Sequence, residues 1–204
     1  LASISYVDHQ LGRLLDALDA SPMKDNTIIV LWSDHGFHIG EKQNWEKFAL
    51  WDQTTRVPFF VHAPGMSRDG ATTRQPTTLT DIYPTLCELA ELPVPELCTG
   101  VSLVPQLKNP NAPRDRMALT AFQFRNEKTP SLAVADSRYR FIRYGDGFEE
   151  LYDLKKDPHE FKNLIADPRF AKVKMRLANA LPKKVTPIQK IPQDSPFHRG
   201  RKRN

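Results

Sequence analysis

The feature that most limits the fold of this chain is one uninterrupted apolar run between two helical patterns. Thr27-Ile-Ile-Val-Leu-Trp32 is rich in β-branched residues and shows no alternation of apolar and polar positions. Such a run is typical of a parallel strand that is covered on both faces. Because the run is far shorter than the roughly 20 apolar residues needed to cross a bilayer, the sequence predicts no membrane span.

Helical patterns flank this strand and a second one. Residues 3–19 place apolar side chains on one stripe, and residues 79–92 repeat the helical spacing. Residues 56–62 form the second apolar run. Residues 1–92 therefore predict an α/β fold with a mainly parallel sheet and flanking helices, in which the first helix faces the core.

The pattern changes after Pro93. Four short strand-like runs follow without helices between them, and a helical pattern comes last, at residues 117–124, 131–135, 139–144, 149–153 and 169–181 respectively. This order predicts a small antiparallel sheet with a C-terminal helix. We therefore expect three parts, namely an α/β part at 1–92, a small antiparallel α+β subdomain at 93–181 and a tail at 182–204.

The basic character of the chain belongs to the tail. Residues 182–204 hold seven basic residues and one acid, a net charge of +6, which leaves residues 1–181 at −1 of the total of +5. A basic face for nucleic acid on the folded body is therefore not indicated. Four prolines and few apolar residues predict that the tail is disordered. The tail is either solvated or in contact with a polyanion.

The chain has two cysteines, Cys87 and Cys98. They show neither a C-x-x-C pair nor the Cys/His spacing of a zinc site. Their spacing leaves open whether they form a disulfide, because such a bond depends on geometry and on the redox compartment.

Asp34 and His35 directly follow the first predicted strand, and Gly36 permits a sharp turn behind them. Ligands of parallel sheets bind beyond the carboxyl ends of the strands. Asp34 offers a hard oxygen suited to Ca²⁺ or Mg²⁺, whereas His35 offers a nitrogen that could instead hydrogen-bond an anionic substrate. The alternative is a local turn whose side chains cap the backbone.

Lys47 lies across a loop from this pair. A flexible ammonium that returns over an anion site binds sulfate or phosphate as a point charge, although an isolated lysine is more often solvated. The loop also holds three candidates for lining a substrate pocket, His38, Trp45 and Glu46. Trp45 is equally compatible with a role as a packed loop anchor.

Several segments occur together in collinear order between about residues 2 and 165. They are Ala2-Ser-Ile-Ser-Tyr-Val-Asp-His-Gln-Leu-Gly12, Ser33-Asp-His-Gly36, Gly40-Glu41, Trp45-Glu-Lys47, Arg56-Val-Pro58, Thr80-Asp-Ile-Tyr-Pro-Thr-Leu86, Glu150-Leu-Tyr-Asp-Leu154, Asp157-Pro158 and Asn163-Leu164. In this combination the chain resembles the carboxyl-terminal half of a type I sulfatase. The most similar branch is the iduronate-2-sulfatase-like one of the alkaline phosphatase superfamily.

The resemblance implies metal-assisted hydrolysis of a sulfate ester, on a carbohydrate or another carrier. In that family a formylglycine is the nucleophile and Ca²⁺ stabilises the developing charge. The resemblance implies that Asp34 and His35 correspond to the metal-site pair of the family and that Lys47 corresponds to its sulfate-binding lysine. It also implies that Trp45 and Glu46 belong to the loop that lines the substrate pocket. It also implies an exported, periplasmic or secreted protein.

The chain departs from the family in one large respect. The formylglycine signature C-x-P-S-R does not surround Cys87 or Cys98, and the paired metal-binding aspartates of the amino-terminal half are absent. Because two ligands fall short of the six to eight that Ca²⁺ prefers, we expect weak calcium binding by this chain alone. We also expect no sulfatase turnover, and low stability from an unpaired sheet edge.

Two other functions are compatible with the sequence. A phosphodiesterase or phosphonate hydrolase of the same superfamily would share the metal site and the anion contacts. A non-catalytic protein would instead bind sulfated glycans through the basic tail.

Overall fold

A computed structural model describes residues 1–124 and 128–186, and these divide into two units. Unit 1 comprises residues 1–34 and 57–113, whereas unit 2 comprises residues 35–56 and the chain from Arg114 onward. The division therefore differs from the predicted boundary after residue 92. Residues 35–56 belong with the later sheet because Leu50 is buried in that sheet's core.

Five helices and eight strands are found in the described residues. The helices are α1 (Ala2–Asp19), α2 (Asp52–Thr55), α3 (Ile82–Leu89), α4 (Val104–Lys108) and α5 (Ala171–Asn179). The strands are β1 (Ile29–Trp32), β2 (His38–Ile39), β3 (Trp45–Glu46), β4 (Phe59–His62), β5 (Ala118–Phe122), β6 (Ser131–Ala135), β7 (Tyr139–Arg143) and β8 (Glu149–Asp153).

The sheet of unit 1 is antiparallel. β1 pairs with β4 so that Ile29 lies opposite His62 and Trp32 lies opposite Phe59. The predicted mainly parallel sheet is thus not found in residues 1–124 and 128–186, where all strand pairs are antiparallel. A parallel pair needs a long crossover, usually a helix, and the only α-helix between β1 and β4 is the four-residue α2.

The first helix forms where the periodicity predicts it, but its apolar stripe is only partly covered, with Leu11, Leu15 and Leu18 half-buried. Ile4, Val7 and Leu14 are 61–69% exposed, and no residue of α1 is buried. The expectation that this helix faces the core is therefore not met in the structure. Helical spacing determines which side chains share a face, but it does not determine what covers that face.

The start of the helical segment at 79–89 is fixed by one buried carboxylate. Asp81 Oδ2 accepts a 2.8 Å hydrogen bond from the Thr78 amide, which completes a capping box. Its Oδ1 accepts a 2.8 Å bond from the Val101 amide. Asp81 thus connects the amino end of α3 to the segment that precedes α4.

We expect Asp81→Ala to lower the free energy of unfolding by about 2 kcal/mol, because it leaves two backbone amides without an acceptor. Urea denaturation monitored by circular dichroism measures this difference. Asp69→Ala, at an exposed turn, is the matched control and should change stability by less than about 0.5 kcal/mol. Equal midpoints for the two variants would contradict the assigned role of Asp81.

Unit 2 contains the predicted antiparallel sheet and C-terminal helix. Its strands follow the order β5-β6-β7-β8, and each pairs antiparallel with its neighbour. One face is covered by α5, in a core made of Leu132, Val134, Phe141, Leu151, Leu177 and Leu181. The opposite face is covered by Leu50, which packs with Ala133, Ile142 and Tyr152. The loop that carries Lys47 is therefore built onto this second face.

The cysteines and the absence of a predicted membrane span can be compared with the described residues. Cys87 and Cys98 are both free thiols, and Cys87 is buried. None of the helices in residues 1–124 and 128–186 has the length and apolarity required to cross a bilayer. Most of the predicted basic tail, residues 187–204, lies outside the described residues.

Candidate functional site

His35 and Lys47 lie in contact within unit 2. Lys47 Nζ is 2.9 Å from His35 Nε2, and His35 Nδ1 is 2.8 Å from the Gly36 carbonyl oxygen. Because a carbonyl oxygen only accepts, Nδ1 must carry the ring proton and donate it. Nε2 then presents its lone pair, and the Lys47 ammonium donates to it. The two side chains form a polar pair with the histidine held in one tautomer.

The backbone behind His35 is fixed by a close approach to α2. The Gly36 amide donates a 2.7 Å hydrogen bond to the Thr54 carbonyl. A Cβ at position 36 would lie only 1.9 Å from the Gln53 carbonyl oxygen, so the approach requires glycine. Glycine at position 36 is therefore required by the backbone packing, whereas Asp34 and His35 supply the polar side chains of the Asp-His-Gly sequence.

Lys47 directly follows a small hairpin. In the β2–β3 pair, Ile39 lies opposite Trp45, and His38 lies opposite Glu46. Trp45 is 66% exposed, and Glu46 and Lys47 are exposed as well. The hairpin therefore presents an aromatic ring, a carboxylate and an ammonium to solvent within three consecutive residues.

Asp34 is the last residue of unit 1 and is joined to His35 by a peptide bond. The Ser33 amide donates a 3.2 Å hydrogen bond to the Pro58 carbonyl, which extends the β1–β4 pairing to the residue before Asp34. Asp34 itself is exposed. Its carboxylate therefore emerges directly after the end of an ordered strand, as the sequence predicts.

The described residues do not complete a calcium site. Among residues 1–124 and 128–186, no three His, Cys, Asp or Glu side chains are grouped so that they could hold a metal ion. Asp34 and His35 supply at most two of the six to eight ligands that Ca²⁺ takes. In addition, the His35 Nε2 lone pair is directed at the Lys47 ammonium, so a cation at this nitrogen would compete with Lys47.

His38 is not placed to line a pocket, because its side chain is completely buried. Its ring contacts the edge of Trp51, with centroids 5.7 Å apart. Its Nδ1 is 3.9 Å from Glu41 Oε2, too far for a hydrogen bond, and burial lowers the pKa of His38. The position supports a packing role rather than the predicted contact with a substrate.

A charged cluster that no sequence pattern predicts lies under the loop, with two of its members buried and two half-buried. We call it the anchor cluster, and it consists of Lys42, Asp52, Arg140 and Glu160. Burial raises the pKa of Glu160 to about 7 and lowers that of Lys42. The members come from segments about 90 to 120 residues apart, so no local spacing could have revealed them.

Comparison with known proteins gives the family. Residues 1–92 match the model of the sulfatase family. A sulfatase of Formosa agariphila is 40% identical over 90% of this chain and 35% of that protein. The chain belongs to the sulfatase family. A delta 4,5-hexuronate-2-O-sulfatase of Bacteroides thetaiotaomicron is 35% identical over 82% of this sulfatase chain and 36% of that protein.

Two solved structures also match most of this chain. A protein solved in complex with its substrate, D-glucosamine-2-N,6-O-disulfate, matches with a TM-score of 0.80 and 28% identity over 87% of this chain and 38% of that chain. The phosphonate monoester hydrolase of Agrobacterium radiobacter matches with a TM-score of 0.75 and 31% identity over 86% and 38%. This sulfatase chain thus spans little more than a third of the length of the proteins that it matches.

Proposed function

We propose that this chain supplies the sulfate-recognising part of an enzyme that hydrolyses sulfate esters. The observation that carries the proposal is the 2.9 Å contact between Lys47 Nζ and His35 Nε2. Lys47 is exposed, so an anion can reach its ammonium and accept a charge-assisted hydrogen bond from it. His35 holds the lysine in place before the anion arrives, which reduces the ordering cost of binding.

We propose a sulfated carbohydrate as the substrate. The exposed ring of Trp45 lies two residues before Lys47 and offers an apolar face to a sugar ring, while Glu46 can accept hydrogen bonds from sugar hydroxyls. A relative is named a delta 4,5-hexuronate-2-O-sulfatase. This supports an iduronate-2-sulfatase-like specificity, in which the sulfate is attached to a uronate.

Calcium and the nucleophile also remain proposals. The resemblance supports Asp34 as part of a calcium site whose other ligands are not among the described residues, and it supports His35 as a ligand only where the ion displaces the contact of His35 Nε2 with Lys47. Calcium, when bound, would stabilise negative charge on the sulfate group. The formylglycine would likewise come from outside this sequence, and an exported, periplasmic or secreted location is proposed on the same resemblance.

A sulfate titration of this chain tests the proposed contact. We expect saturable changes in the nuclear magnetic resonance signals of the His35 ring and the Lys47 side chain as sulfate is added. Sodium chloride at matched ionic strength is the control, because it screens charges without offering a tetrahedral oxyanion. Identical responses to sulfate and chloride at both residues would remove the proposal.

A phosphonate monoester hydrolase is the second candidate function. It is favoured by the 31% identity to the enzyme of Agrobacterium radiobacter. Phosphonate and sulfate are both tetrahedral oxyanions, so an ammonium such as Lys47 serves either. Turnover of a sulfate ester against a phosphonate monoester by the catalytically competent protein decides between them.

A further inference from the structure

We propose that Glu160 is a positioning residue for the His35–Lys47 pair, and that it acts through α2. The inference rests on the proposed function in so far as this pair binds sulfate. Glu160 touches neither His35 nor Lys47 in the contacts described above. It lies instead at the point where both ends of the Lys47 loop are attached to the sheet of unit 2.

The carboxylate of Glu160 holds the far end of the loop. Glu160 is 1% exposed, and its Oε2 accepts a 2.6 Å hydrogen bond from the Asp52 amide, the first N–H of α2. Such an amide has no partner inside its own helix. Arg140 Nη2 lies 2.5 Å from Asp52 Oδ1, and Arg140 Nε lies 3.0 Å from Glu160 Oε1 as an ion pair without hydrogen-bond geometry. Residue 52 is thereby fixed through both its backbone and its side chain.

Helix α2 connects residue 52 to the backbone next to His35. Its Thr54 carbonyl accepts the 2.7 Å hydrogen bond from the Gly36 amide, and the Gly36 carbonyl accepts a hydrogen bond from His35 Nδ1–H. A movement of α2 would therefore move the backbone that orients the His35 ring, and Nε2 would lose its alignment with Lys47.

The backbone of Glu160 holds the near end of the loop. Lys42 Nζ donates to the Glu160 carbonyl at 2.5 Å and to the Tyr152 hydroxyl at 2.9 Å. The same ammonium lies 4.3 Å and 4.5 Å from the ring centroids of Trp51 and Tyr152. One residue thus secures both position 42 and position 52, between which Lys47 lies.

The loop needs such support because its backbone is strained. Lys42, Gln43 and Glu46 have φ angles of 55°, 58° and 72°, and Glu160 itself has a φ of 56°. Non-glycine residues adopt this region only where the surroundings enforce it. Strain gathered around a candidate ligand site, and held by buried contacts, is typical of a positioned functional loop.

Three variants separate a positioning role from a general effect on stability. Glu160→Gln keeps an oxygen acceptor of the same reach, Glu160→Asp keeps the carboxyl group but is one methylene shorter, and Glu160→Ala removes the acceptor altogether. Because Arg140 keeps Asp52 as a partner, the glutamine variant leaves no isolated buried charge. Glu149→Ala is the matched control, since it removes a carboxylate of β8 that pairs with Arg143 of β7 and Lys174 of α5.

The readouts are the dissociation constant for sulfate at Lys47 and the hydrogen-exchange rate of the Gly36 amide, both in the full chain. For the alanine and aspartate variants we expect sulfate affinity to fall about tenfold and Gly36 exchange to accelerate by a similar factor. The glutamine variant should stay within about threefold of wild type, and Glu149→Ala should match wild type in both readouts. Should Glu160→Ala not fold, the contrast between Asp and Gln decides the question.

Wild-type sulfate affinity and Gly36 exchange in a folded Glu160→Asp chain would overturn the positioning role. Equal losses in Glu149→Ala would overturn it too, because they would indicate a general effect of stability. An absence of sulfate binding in the wild-type chain would instead overturn the proposed function. The exchange rate of Gly36 would then still decide whether Glu160 positions the histidine.

Discussion

Lys47→Ala should lower kcat/KM for sulfate-ester hydrolysis by about 10²–10³-fold in the catalytically competent protein, the range found when one preorganised donor to a developing charge is removed. The ammonium is exposed and is held by His35 at 2.9 Å, so under the proposed function it would meet a sulfate without rearrangement. Steady-state kinetics with an aryl sulfate and with a 2-O-sulfated uronate measure the loss.

Two further variants serve as controls for Lys47→Ala. Lys172→Ala removes an exposed lysine from α5, and it should leave kcat/KM within about twofold of wild type. Lys47→Arg should retain part of the activity, because the charge remains while the planar guanidinium cannot reproduce the point contact with His35. Full activity in Lys47→Ala would show that the sulfate group is bound elsewhere.

Phe141→Ala should lower the free energy of unfolding by about 3–5 kcal/mol, the usual cost of emptying an aromatic core position. Phe141 is completely buried on β7, in the core that lies between the sheet and α5. Its removal leaves a cavity beside Leu151 and Leu177, which backbone hydrogen bonds of the sheet prevent from closing fully.

Urea denaturation with a linear extrapolation measures this loss. Phe148→Ala is the control, since that ring is more than half exposed and should cost less than about 1 kcal/mol. A change at position 141 no larger than that at position 148 would mean that the core of unit 2 does not carry its stability.

The local elements of this chain and the antiparallel sheet of unit 2 could be predicted from the sequence, whereas the pairing of β1 with β4 could not. The bounds of β6 and β8 agree with the predicted runs at 131–135 and 149–153, because apolar strands between turn residues have a clear local signature. The apolar run at β1 predicts a strand equally well. It contains no information on the direction of the neighbouring strand, and the parallel prediction was wrong for that reason.

The candidate site was predictable to a similar degree. The residue types of Asp34, His35 and Lys47 suggested anion or metal chemistry, and the structure brings His35 and Lys47 into contact. The burial of His38 was not predictable, because a two-residue strand shows no periodicity that assigns a face. The contact of Glu160 with α2 could not be predicted for another reason, because its hydrogen bond to the Asp52 amide joins positions 108 residues apart.

The interleaving of the two units limits how this polypeptide can be divided. The backbone crosses between them after residues 34, 56 and 113, so no single peptide bond separates one from the other. Cleavage after residue 113 would leave Leu50 and Lys47 covalently attached to the fragment that contains β1 and α3. A protease, a truncation or a recombination event at that position would therefore break the covalent connection between the Lys47 loop and the sheet that supports it. Neither unit is therefore isolated by a single cut in the chain.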